Sequence, residues 1–151
     1  MVPFANLGAW ADCFDAAALP VLRSSAVQLE ELRVNEEATD AHMLNGAFER
    51  DPLMVLKVLA HVAMKRKGRS GTDAETLTEA LVMLGITPFY RDFGPQACVE
   101  DRLAEWPAAL EGFNAVLSRA HRAARFATAI AVQRMDHDVA VIHEAALLHD
   151  F

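Results

Sequence analysis

Cysteine is nearly missing from this sequence. Cys13 and Cys98 lie far apart with no CxxC spacing, so two buried or half-buried free thiols in a reducing cytoplasm are expected, with a single disulfide left open. Long apolar runs are missing too. None approaches the roughly 20 residues that span a bilayer, and the N-terminus lacks the basic segment and apolar core of a secretory signal. A cytoplasmic chain without a membrane partner is expected. Basic charge is short, with 14 Lys and Arg against 21 Asp and Glu and a formal charge of -7. That balance repels a phosphate backbone unless basic residues cluster locally, so nucleic acid is not an expected partner. Glycine-rich phosphate loops, a Walker lysine pattern and a GxSxG elbow do not occur. Neither do repeats or low-complexity segments.

What the sequence does have is apolar residues, 53% of 151, enough for one domain with one core. They recur at helical spacing and rarely alternate, which predicts an all-α fold. Leu7, Trp10, Phe14 and Ala17 mark a first short helix with Asn6 as its cap. Ser24 and Ser25 are placed to cap a second, and Thr39 a third through Met43, Leu44, Ala47 and Phe48. Asp51-Pro52 puts a capping carboxylate before a proline at the first helical position. The helix it opens is apolar almost all round, with one polar stripe of Lys57, His61 and Lys65 expected in water. A solvated basic loop over 65–71 precedes Thr72-Asp73-Ala74-Glu75, which has the capping-box pattern. Gly85 is placed to end the helix that follows.

Residues 86–107, with Pro88, Gly94 and Pro95, are read as a segment connecting an N-terminal helical subdomain over about 19–85 to a second part over about 108–151. Pro107 breaks or starts a helix. A long helix over about 108–134, a turn over 135–138 and a very apolar last helix over 139–151 complete the chain.

The informative side chains are His121 on the long helix and the adjacent pair His149 and Asp150. His121 shares a small, apolar face with Leu117, Ala124 and Thr128, and a buried imidazole needs a partner because an unpaired polar group in a core costs a few kcal/mol, roughly. Two antiparallel helices joined by a short turn bring the three groups within reach of one another. Imidazole nitrogen and carboxylate oxygen suit a divalent metal such as Zn, Mn or Fe. They equally suit a hydrogen-bonded network that staples the two helices, which is the expected reading here. Arg119, Arg122 and Arg125 form a basic patch beside His121. Arg122 and Arg125 are the candidates for receiving a phosphate, against the plainer reading of a solvated helix face. His42 and His61 are expected to be ordinary surface positions, and His137 part of a charged turn. His143 is a plain helix position or an outer support to the site.

These residues carry a resemblance. Arg119-Ala120-His121-Arg122 followed by Glu144-Ala145-Ala146-Leu147-Leu148-His149-Asp150 looks like the first half of an HD domain. Leu19-Pro20, Leu29-Glu30-Glu31-Leu32, Asp51-Pro52-Leu53 with Lys57-Val58-Leu59, and Ala80-Leu81-Val82-Met83-Leu84-Gly85 fall in the order of the narrower HD-related output domain (HDOD) family. From about Leu19 onward the chain resembles that family. The resemblance implies an all-α, multi-helix HDOD-like domain with the beginning of an HD-type bundle, working in bacterial signal transduction. In the wider superfamily the metal is held by a histidine, the His-Asp pair and a later aspartate. His121, His149 and Asp150 match the first three.

The chain departs from the pattern in two places. It stops one residue past the pair, before the later aspartate, which suggests a fragment of a longer protein. Ala63-Met64 stands where the family carries a small polar pair. A non-catalytic regulatory or protein-interaction module is therefore the expected function, with other signalling proteins or domains as partners and self-association through the apolar C-terminal helix. A metal-dependent phosphohydrolase is the alternative, with metal-bound water attacking phosphorus. A nucleotide-sensing domain using the arginine patch is the second alternative.

Overall fold

The computed structural model describes residues 19–67 and 71–151. The fold is all-α, as the periodicity predicts. The helices are α1 (Arg23–Arg33), α2 (Ala41–Phe48), α3 (Pro52–Arg66), α4 (Leu77–Leu84), α5 (Ile86–Asp92), α6 (Val99–Arg102), α7 (Pro107–Gln133) and α8 (Val139–Leu148), with one 3-10 turn at Glu36–Ala38. The only extended pairing among the described residues is an isolated parallel bridge between Val21 and Cys98. The helix expected around Leu7 to Ala17, with its Asn6 cap, and Cys13 lie outside the described residues. No helix among the described residues is long and apolar enough to cross a membrane.

Helix α3 is central, and Asp51-Pro52 starts it as predicted. Asp51 Oδ1 accepts from the Leu53 and Met54 amides at 3.0 and 3.1 Å, while Pro52 occupies a position whose missing N–H costs nothing. Leu53, Met54, Val55, Val58 and Val62 are all buried. The Lys57–His61–Lys65 stripe faces water only at its far end: Lys65 is exposed and His61 half-buried, but Lys57 is not in water as expected. Lys57 is only 7% exposed. Its Nζ donates to the Leu19 carbonyl at 2.9 Å and to Gln96 Oε1 at 2.5 Å, and burial holds the ammonium below the usual lysine range. His61 and Lys65 both reach Asp92, and the His61 ring stands edge-on to Phe93 at 5.0 Å. The Arg91 guanidinium, then Lys65, hold the Asp92 carboxyl below the ordinary carboxylate range.

The reason is that residues 86–98 are more than a connector. They contain α5 and the turn after it, and these supply Asp92, Phe93 and Gln96 to the polar edge of α3. Arg33 fastens the same unit to α1, donating to the Tyr90 and Phe93 carbonyls at 2.9 and 2.5 Å.

Several caps differ from those expected. Helix α1 is not capped by Ser24 or Ser25. Its N-cap is Leu22, and Ser25 is buried. The first amides are taken by carboxylates from distant segments: Leu22 N–H by Asp51 Oδ2 at 2.7 Å, and Arg23 N–H by Glu100 at 3.0 and 3.1 Å. Asp40, not Thr39, caps α2, accepting from the Met43 amide at 2.8 Å. Thr39 Oγ1 turns back to the carbonyls of Leu32 and Asn35. The capping box lies at Thr76 and Glu79, later than the Thr72 and Glu75 expected. Gly85 ends α4 with φ 81°, where a side chain would be strained.

Pro107 starts α7, and the turn after it closes as predicted, with Met135 at φ 54° and Asp138 N–H donating to Asp136 Oδ1 at 3.1 Å. His137 is exposed in that charged turn. The resulting hairpin packs α8 along α7, where Ala120, Ala124 and Ala131 are buried and small enough for close approach. Ala120, Ala124 and Leu147 join the same apolar cluster as Val21, Leu29 and Phe48, so the hairpin shares the core of the preceding helices. Apolar side chains of α8 are mostly covered. The exposed large apolar groups of the hairpin are Phe126, Ile130, Val132 and Met135, on α7 and the turn after it.

Candidate functional site

The predicted metal residues are each held by other partners. His121 Nε2 lies 2.7 Å from the Arg50 carbonyl oxygen. A carbonyl only accepts, so Nε2 carries the proton and donates. Helix α8 ends at Leu148, which leaves His149 as its C-cap and Asp150 just beyond. His149 Nδ1 donates to the Ala146 carbonyl at 2.7 Å. Asp150 meets α7 at Arg119, 3.7 Å away, and His149 Nε2 at 3.5 Å. Among the described residues no group of three or more His, Cys, Asp or Glu is placed to hold a metal ion. His121, His149 and Asp150 therefore do not assemble as the predicted ligand set. The physical cause is the early end of α8, which sends the pair toward Arg119 and solvent.

What the hairpin brings beside His121 is a different set. A groove of about 670 Å³ opens between α2, the start of α4, α7 and α8, and His121, Arg125, Thr128, His143 and Glu144 line it together with Arg50. Arg125 is thus at the groove, as a phosphate-binding candidate should be, whereas Arg122 is exposed and not among its lining residues. Thr128 Oγ1 donates to the Ala124 carbonyl at 2.8 Å and lies 2.9 Å from His143 Nδ1. The hydroxyl has one proton and it is already committed, so His143 Nδ1–H donates to Thr128. In the neutral rings, Nε2 of His143 and Nδ1 of His121 keep their lone pairs.

Glu144 is the least expected member. It is buried, and both its oxygens accept from the Leu77 amide, at 2.9 and 2.8 Å, at the first turn of α4. This carboxylate from α8 supplements the Thr76 cap and complements the positive end of α4. Burial first of all, with Glu79 and Glu49 adding repulsion, raises its carboxyl to about 7 against the lowering effect of Leu77.

The folded state therefore binds a proton that the unfolded chain has released between the ordinary glutamate range and about 7. Stability contributed by this proton is fully present below the unfolded value near 4.5 and is lost as pH rises through about 7. Glu144→Gln keeps an acceptor for Leu77 without the charge. Urea unfolding should show the variant gaining on wild type by about 2 kcal/mol at pH 8, with the difference shrinking as pH falls and gone only below the unfolded value near 4.5. Equal stability at pH 8 would count against a strained ionised Glu144.

Sequence reasoning singled out His121 and Arg125, which line the groove, but missed the Glu144 contact and the Thr128–His143 bond. The spacing of His143 with Leu147 hinted that it faces the hairpin. Nothing local announced that Glu144 reaches the start of α4. No family model, curated protein or solved structure matches this chain.

Proposed function

We propose that this chain is a non-catalytic regulatory and protein-interaction module of bacterial signal transduction, the role its resemblance to the HD-related output domain family implies. The observation that carries this reading is how His121, His149 and Asp150 are engaged. One ring nitrogen of each histidine is occupied by a backbone carbonyl, and the carboxylate turns to Arg119. A hydrolytic metal needs several such groups converging on one point with an open position for water.

The exposed side of α7 supports the interaction role. Phe126 and Ile130, one helical turn apart, are 71% and 57% exposed, an apolar pair suited to packing against another protein surface.

Purified protein tests the proposal. Substoichiometric Zn, Mn and Fe, together with no hydrolysis of bis(4-nitrophenyl) phosphate when these metals are supplied, are the expected results. Stoichiometric metal lost in His149→Ala, or hydrolysis lost in the same variant, overturns the reading in favour of the phosphohydrolase. A binding partner captured by wild type should be lost in Phe126→Asp at an unchanged melting temperature, because the side chain contributes little to the fold.

A further inference from the structure

The groove beside His121 contains cationic groups that the fold itself does not use. Neither the Arg50 nor the Arg125 guanidinium has a carboxylate within ion-pair distance among the described residues, although other exposed arginines such as Arg23, Arg91 and Arg119 do. Arg50 contributes its carbonyl to His121, which fixes the backbone from which its guanidinium projects. The two histidines are oriented in the same way, each held through one ring nitrogen with the other left over. Two immobilised imidazoles and two unpaired guanidiniums thus border one concave site.

We propose that this groove binds a small organic phosphomonoester. The guanidiniums supply charge and paired N–H donors that match phosphate oxygens. The spare histidine nitrogens accept from hydroxyl or amino groups on the rest of the molecule. Ala124, Val139, Ala140 and Leu147 give the groove an apolar surface for the organic part, and about 670 Å³ is far more room than inorganic phosphate fills. Two acids also line the groove and offset part of the guanidinium charge: Glu144, engaged by the Leu77 amide, and Glu49, which accepts from the Asn45 side chain at 3.1 Å. Among the described residues no three histidine, cysteine or carboxylate groups are placed to hold a metal ion, so the groove offers a bare cation no such ligand set.

This assignment deepens the regulatory reading, because it gives the module a small-molecule input. Its failure and the failure of that reading are distinguishable, since metal content and phosphodiesterase turnover are measured separately. Calorimetric titration at low salt with AMP, glucose 6-phosphate, inorganic phosphate and adenosine is the test. At least one of the two phosphomonoesters should bind with Kd below about 1 mM and more tightly than inorganic phosphate, with adenosine silent. Arg125→Gln and Arg50→Gln, both exposed and unpaired, should each weaken that binding about tenfold or more, as loss of a charge-assisted contact implies. Arg134→Gln, outside the groove, should leave it unchanged.

Absence of saturable binding by either phosphomonoester overturns the proposal. So does inorganic phosphate binding as tightly as the esters. Equal weakening by all three arginine variants also overturns it, because that is the signature of diffuse charge.

Discussion

Asp51→Ala is expected to destabilise the chain by about 3 kcal/mol, the sum of a lost N-cap at about 1 and a half-buried amide left without an acceptor at about 2. Asp51 is buried and its two oxygens do separate work. Oδ1 takes the Leu53 and Met54 amides at the start of α3, and Oδ2 takes the Leu22 amide at the start of α1. One side chain therefore closes two helix starts and locks them to each other. Burial outweighs the Ser25 side-chain hydrogen bond and those backbone ones and keeps the carboxyl above the ordinary aspartate range, so acceptor geometry, more than charge, is what stabilises. Asp51→Asn retains one acceptor and turns an amide toward the other donor, and should cost less than half as much. Chemical denaturation of the three proteins checks this. A loss under about 1 kcal/mol in Asp51→Ala would falsify the double-cap account.

A loss of about 3–5 kcal/mol is expected for Phe89→Ala, within the range for emptying a buried aromatic site. Phe89 is fully buried and sits among other rings: stacked on Phe93 at 4.8 Å, edge-on to Tyr90 at 5.5 Å and tilted against Phe48 at 6.0 Å. Truncation removes the apolar area of one ring and leaves a cavity facing three others. It also loosens Phe93, which carries the edge contact to His61. Phe126→Ala provides the contrast. That ring is 71% exposed, and its loss should change stability by no more than about 0.5 kcal/mol. Similar costs at the two positions would mean that the packing described for α5 is not what holds the domain together.

The same residue type thus gives opposite outcomes, and the difference is not visible in local sequence. Phe89 follows a proline in a stretch with turn-forming residues and reads as part of a connector. Phe126 lies in the long helix that the periodicity predicts, and nothing local marks it as exposed. What separates them is which neighbours arrive from elsewhere in the chain. The predicted metal residues are held by separate partners for a related reason. The hairpin of α7 and α8 was legible from Pro107, the turn over 135–138 and the apolar periodicity. The place where α8 stops was not, and it decides whether His149 and Asp150 turn toward His121 or toward Arg119.

By itself the sequence determined the all-α class, the start of α3 at Asp51-Pro52, the end of α4 at Gly85, the start of α7 at Pro107 and the hairpin turn. Each is decided by backbone preferences and side-chain to amide contacts within a few residues, which a single chain displays in order. Only the tertiary structure decided that Leu22 is capped by Asp51, Arg23 by Glu100 and Leu77 by Glu144, pairs separated by 29, 77 and 67 positions. It also decided that Lys57 is buried against Gln96 and that His121, Arg125 and His143 share a groove. A carboxylate or ammonium carries no mark of which distant amide or carbonyl it will meet; that follows from how the helices pack, and packing is a property of the whole core.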